Sequence, residues 1–191
     1  MFRFYILNAK SKSSMLELAS GETHKEDVNN MTYSSKVPLA KEIRFKLKKG
    51  RKPYDIITYC DKSTLMFFSK HMLDMISEDF NIDGLYYPIT VEGVEEQYYG
   101  LYNLPAADHF NKLESKVYGE PILFTIGDVY HIPNIFTFNE VPMIVINARV
   151  YITIYLRNRF TNIDSEHYAY YYTNYEIDGW KKYWERRRND I

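Results

Sequence analysis

Apolar and polar positions along the chain follow two different periods, and the change between them marks where elements begin and end. Ile43, Phe45 and Leu47 alternate with Arg44, Lys46 and Lys48, the period-two pattern of a strand with one wet, basic face, and Gly50 and Pro53 close it. Leu65 to Phe68 is a short apolar run. Ser69, a good helix N-cap, follows it, and Met72, Leu73, Ile76 and Phe80 recur at helical spacing up to Asn81. Gly84 supplies a turn or C-cap conformation, and Leu85 to Val91 reads as a strand whose Pro88 belongs at an edge or a bulge. Tyr98 to Leu104 is its hairpin partner across a loop containing Gly93.

Elsewhere the pattern is weaker. Phe2 to Leu7 reads as an opening strand, and Asn8 to Tyr33, polar and without a period, as a loop with at most a short helical turn. Val141 to Ile146 is apolar, Asn147 takes the capping place that Ser69 holds earlier, and Ala148, Tyr151, Ile152 and Tyr155 form one helical face before Asn162-Ile163. Val150, Ile152, Ile154 and Leu156 also alternate, so a long strand is the competing reading of the same residues. His167 to Tyr175 is strand-like, and Trp180 to Arg188 reads as a short basic helix.

These elements predict an α+β fold with mixed or antiparallel sheets and a few helices. Residues 1–191 form one domain, a length that a single core serves. The 78 residues from Ser69 to Asn147 point to an internal duplication, with Leu65 to Val91 and Val141 to Tyr172 superimposing as strand-helix-strand units.

Composition sharpens the picture at three points. Nineteen Tyr and eleven Phe fit half-buried strands, and also a contact surface. Cys60 is the single cysteine, so no disulfide within the chain is expected, and a reducing compartment fits. The polar run from Asn8 to Ser14 leaves Met1 to Leu7 without the apolar core of a signal peptide. The apolar stretch Val141 to Leu156, interrupted by Asn147 and Arg149, falls short of the ~20 residues a membrane crossing needs. A cytoplasmic location without membrane insertion is the expectation.

Net charge is −1, yet it is unevenly spread. Between Lys36 and Lys52 eight basic residues face Glu42 alone, whereas from His71 to Glu120 ten carboxylates face only Lys112 and Lys116.

Catalytic chemistry finds little footing. His24, His71, His109, His131 and His167 are scattered, none at zinc-ligand spacing, so no metal is expected. Neither a phosphate-cradling glycine loop nor a nucleophile elbow occurs, so no cofactor and no catalytic residue is assigned. Asp108-His109 with Glu114 is the most acid-base-like cluster, though a solvated loop after Pro105 explains it as well. The basic segment 36–52, with Phe45 and Tyr54 nearby, is the place where a nucleic acid would track, but the acidic middle of the chain argues against nucleic acid.

Leu65-Met66-Phe67-Phe68-Ser69-Lys70-His71-Met72-Leu73, followed by Asn81-Ile82-Asp83-Gly84-Leu85-Tyr86-Tyr87-Pro88-Ile89, resembles the MXAN-type family of bacterial immunity proteins from polymorphic toxin systems. Tyr98-Tyr99-Gly100-Leu101-Tyr102-Asn103-Leu104 is similar to that family's aromatic strand ending in Asn. Asp108, Glu114-Ser115 and Ile135-Phe136 fall where it has an Asp, a Glu-Ser pair and a central Ile-Phe, and the resemblance covers about Tyr54 to Ile163. Asn147 stands where that family usually has Ser, and Asn162 where it has Gly. The resemblance implies a non-enzymatic protein that binds a cognate toxin, many of which are nucleases, and blocks it. The alternatives are a nucleic-acid-associated module using segment 36–52 and an undetected enzyme. For a basic toxin, the expected contacts are Glu78, Asp79, Asp83, Glu92, Glu95 and Glu96, with Tyr86, Tyr87, Tyr98 and Tyr99 as apolar anchors.

Overall fold

A computed structural model of the chain describes residues 2–7, 14–22, 25–35, 43–60, 62–107, 109–110, 122–125, 134–138, 143–157 and 168–171. The expected helix Trp180 to Arg188 and the pair Asn162-Ile163 lie outside them.

Glu17–Ser20 (β2), Ile43–Lys49 (β3), Ile56–Tyr59 (β4), Lys62–Ser69 (β5), Tyr86–Val91 (β6) and Tyr98–Leu101 (β7) close into a barrel in the order β2-β3-β6-β7-β5-β4. Alternation explains its two surfaces. Ile43 and Phe45, Ile57 and Tyr59, Leu65 and Phe67, and Tyr87, Ile89 and Val91 join one buried cluster, with the Phe45 ring 5.0 Å from Phe67 and 5.8 Å from Tyr59. Val28 and Met31, on and just after the short helix Lys25–Asn30 (α1), complete that cluster. The intervening Ile56, Met66 and Phe68 instead join a second cluster, together with Met72, Leu73, Met75 and Ile76 of the helix Lys70–Ser77 (α2). Leu65 to Phe68 of β5 are therefore buried on both faces, which is why they read as a continuous apolar run.

A second sheet has the order β8-β11-β12-β1-β13-β10-β9, from Phe2–Leu7 (β1), Ala106–Ala107 (β8), His109–Phe110 (β9), Ile122–Thr125 (β10), Ile135–Phe138 (β11), Ile144–Asn147 (β12) and Tyr168–Tyr171 (β13). The helix Ala148–Arg157 (α3) follows β12 directly. The whole is α+β, with strands dominant, and no helix among the described residues is long and apolar enough to cross a membrane.

One pairing scheme occurs twice. Ser69 on β5 pairs with Tyr98 on β7, which also pairs with Ile89 on β6; Asn147 on β12 pairs with Phe4 on β1, which also pairs with Ala169 on β13. β6 runs parallel to β3, as β13 does to β10. The first half of β2 pairs with β4 and all four of its residues pair with β3, while β8 pairs with β11 and β9 with β10. Since one residue separates β8 from β9, the two edges of the second sheet meet in one short stretch. Strand for strand, β1 holds in the second unit the place of β7 in the first.

The helix starts match at atomic detail. Ser69 N–H donates to Asp55 O (2.9 Å), Ser69 Oγ donates to Asp55 Oδ1 (2.6 Å), and Met72 N–H donates to Ser69 Oγ (3.1 Å). Asn147 N–H donates to Asn134 O (2.9 Å), Asn147 Nδ2 to Asn134 Oδ1 (2.6 Å), and Val150 N–H to Asn147 Oδ1 (2.9 Å). In each case the cap side chain satisfies an orphan amide of the first turn and anchors it to the residue just before the neighbouring strand. The helices share a core with Val150 and Ile154. Asp79 also links them, meeting Arg149 Nε at 2.5 Å and accepting from Thr153 Oγ1 at 2.8 Å.

Several expectations are corrected. Asn8 to Tyr33 is more than a loop with a short helical turn: besides the six-residue α1 it contains β2, too short to show a period and held by barrel pairing and by burial of Leu18. α2 stops at Ser77 rather than Asn81, because the amides of Asp79 and Phe80 both fold back to Ile76 O. Pro88 lies on neither an edge nor a bulge: β6 is paired on both sides, but β3 joins only from Ile89 onward, so no β3 partner stands opposite the missing N–H. Residues 148–157 form the helix that the capping pattern predicts, and the competing strand reading falls. Its described buried positions include Val150 and Ile154, whereas Ile152, expected on the helical face with Ala148 and Tyr151, is 52% exposed.

Candidate functional site

The acidic residues expected to meet a toxin separate into two places. Glu92, Glu95 and Glu96 are exposed on the turn between β6 and β7. That turn is tied at several points: Glu92 N–H donates to Phe45 O (3.0 Å), Val94 N–H to Val91 O (3.1 Å), and Gln97 Nε2 to both Ile89 O (2.7 Å) and Tyr98 O (2.8 Å). Gly93 adopts φ +77 there, a conformation other residues take at a cost. Three carboxylates are thus displayed on backbone that is already ordered, which lowers the entropy lost on binding.

Glu78 and Asp83, also exposed, flank the turn that leads from α2 into β6. The six residues of β6, at about 3.3 Å each, put about 20 Å between this group and the first. Asp79 belongs to neither patch. Its side chain is only 5% exposed and is engaged by Arg149 and Thr153, so it clasps the two helices instead of facing a partner.

The tyrosines divide by strand alternation. Tyr87 and Tyr98 are core residues, 8% and 0% exposed, and Tyr98 Oη donates to Tyr54 O at 2.8 Å. Neither offers an anchor to a partner. Burial pushes both phenols well above the usual tyrosine range. Tyr86 and Tyr99 are half-buried, with rings edge to face at 5.4 Å, against the α2 side of the core. Lys70 lies near them on α2, and its pairing with Asp74 raises its pKa.

One cluster was not foreseen. His71 Nδ1 stands 3.1 Å from both carboxylate oxygens of buried Asp55, which also accepts from Ser69 Oγ. Serine, histidine and aspartate are brought together, but in the wrong order for proton relay, because the serine hydroxyl is directed at the carboxylate and its oxygen is taken by the Met72 amide. The arrangement is a helix cap. Asp55 is 14 residues from Ser69 and 16 from His71, so no local pattern announces it.

β3 displays the basic face read from its alternation: Arg44, Lys46, Lys48 and Lys49 are exposed. A register shift opposite Glu17/Leu18 sets Lys49 against Glu17 and Leu47 against Leu18, leaving Lys48 as the extra residue. Both lysines consequently reach Glu17, at 3.3 and 2.6 Å, and hold its carboxyl below the usual range. Arg44 Nε lies 3.6 Å from Glu22. Phe45 and Tyr54, the rings on which a nucleic acid base was to stack, are buried at 0% and 6% exposure.

Asp108 and Glu114 of the acid-base candidate lie outside the described residues, as does the His109 side chain. Among the described residues no group of three or more His, Cys, Asp or Glu is placed to hold a metal ion. Comparison with protein-family models, curated proteins and solved structures finds no match for the chain.

Proposed function

We propose that the protein is an immunity protein that neutralises a cognate bacterial toxin by direct contact, with the β6–β7 turn as its leading edge. The observation that carries the reading is the ordered display of Glu92, Glu95 and Glu96, fixed by Gln97 and by the Glu92 amide. A nuclease must present cations to phosphate. Clustered carboxylates are drawn to such a surface and raise the association rate more than the final affinity. The resemblance of Leu65 to Ile89 to the MXAN-type immunity family supports the same reading, and so does the repeated cap network, which we take as the trace of an internal strand-helix-strand duplication. Asp79, Tyr87 and Tyr98 drop out of the contact set; Glu78, Asp83, Tyr86 and Tyr99 stay as secondary candidates.

The test is association kinetics with the toxin encoded beside this gene, at low and at physiological salt, for wild type and for a variant with Glu92, Glu95 and Glu96 changed to Gln. The reading expects an on-rate that falls with salt, and a variant that is slower and less salt-sensitive. Equal on-rates in both comparisons remove the acidic turn from the interface, and failure of the neighbouring gene product to bind removes the immunity reading itself.

A further inference from the structure

We propose that the outer face of β3, with the turn that follows it, docks an acidic segment of a partner protein. Six exposed cations, Arg44, Lys46, Lys48, Lys49, Arg51 and Lys52, share this side of the first barrel with the two carboxylates Glu17 and Glu22. The shape is built. In a regular strand Lys48 and Lys49 point to opposite faces, but the bulge at Lys48 turns both outward onto one carboxylate, leaving one positive charge uncompensated there. Sharing Glu17 holds two long side chains in place, so less rotamer freedom is lost on docking.

The fold does not require these charges. By register, Arg44 and Lys46 of the first unit correspond to Leu123 and Thr125 on β10 of the second, so the same strand is built without a cation. The occupant is a protein rather than a nucleic acid for two reasons. Among the described residues of this face the rings at hand, Phe45, Tyr54 and Tyr59, are buried and do not present a stacking platform. The cations are interleaved with Glu17 and Glu22, and the acidic turn starts beside them, with Glu92 N–H bonded to Phe45 O. Mixed charge of this kind complements a patterned protein surface and repels a continuous phosphate chain.

The surface does not depend on the toxin reading, and the test keeps the two apart. A short net-acidic peptide, glutamates interspersed with serine and lysine, and a single-stranded oligonucleotide of equal net charge are titrated into the labelled full chain, with amide shifts as the readout. Expected are shifts confined to residues 44–52 with the peptide, an oligonucleotide at least about tenfold weaker, and a loss of about tenfold in peptide affinity in the K46E/R51E variant. The K46A/R51A variant guards against misfolding and should weaken binding in the same sense. The Gln variant of Glu92, Glu95 and Glu96 should bind the peptide no more weakly than wild type, whatever it does to a toxin. Tighter binding of the oligonucleotide overturns the choice of partner, and absent shifts, shifts elsewhere, or indifference to both variants overturn the site.

Discussion

Raising the pH should unfold this protein through three tyrosines. Tyr33, Tyr87 and Tyr98 are 2%, 8% and 0% exposed, and burial raises the pKa of each phenol above the ordinary ~10. Above pH ~10 the unfolded chain releases these protons while the fold retains them, so the unfolded state binds fewer protons and stability falls as pH rises. Each such group removes about 1.4 kcal/mol per pH unit, and three remove about 4. A domain with a stability near the low end of the common range, about 5 kcal/mol, would then unfold little more than one unit above pH 10. Tyrosinate absorbance should rise in two stages, first for the exposed rings and then cooperatively with loss of the far-ultraviolet circular dichroism. Tyr98→Phe should flatten the slope of stability against pH by about a third, though it starts less stable by about 1 kcal/mol for the lost bond to Tyr54 O. If all tyrosines ionise in one smooth step near pH 10 while the dichroism stays native, the barrel interior is not closed as described, and the reasoning is refuted.

Three further outcomes follow from the packing. A methyl at Gly100 would meet Tyr87 Cζ at 2.2 Å, so Gly100→Ala should cost about 1–3 kcal/mol in urea unfolding, and much of that loss should be recovered on a Tyr87→Leu background. Ser69→Ala removes a cap and leaves Asp55 short of a donor, costing about 2 kcal/mol, whereas Asp55→Asn, which copies the second unit, should cost less; amide exchange at Met72 reports both. The pKa of Glu17 is lowered chiefly by Lys49, then Lys48, so its contribution to stability is present above the ordinary carboxylate range and is lost as pH falls through the folded value. Glu17→Gln should flatten that acid limb of thermal unfolding.

The strand-to-helix turn at Ser69 was legible because three local signs agree there: an apolar run, a capping residue and helical spacing behind it. The basic face of β3 was legible by alternation alone. Closure was not. β2 against β4 and β1 against β12 are pairings between distant segments, and nothing in either segment names its partner. The inward turn of two tyrosines has a sign in the sequence: in Tyr86-Tyr87 and Tyr98-Tyr99, adjacent strand residues face opposite ways, so one of each pair turns inward and not all four can serve as anchors. The doubled lysine at 48 and 49, which breaks the alternation, was likewise the visible mark of the bulge. Asp79 gave no sign at all, since its partners Arg149 and Thr153 lie 70 and 74 residues away.

The place of β1 sets a timetable for synthesis. Its described partners are β12, from Ile144, and β13, from Tyr168, so a strand that leaves the ribosome ahead of all other described elements meets neither of them until nearly all the others have followed. The first barrel is under no such delay: β2 to β7 are complete by Leu101 and can close while the rest is still being made. Translation at about 5–20 residues per second leaves β1 waiting for about 7–30 s with an open edge. A permuted gene that moves β1 to follow β13 would bring it out of the ribosome after both of these partners and abolish that wait.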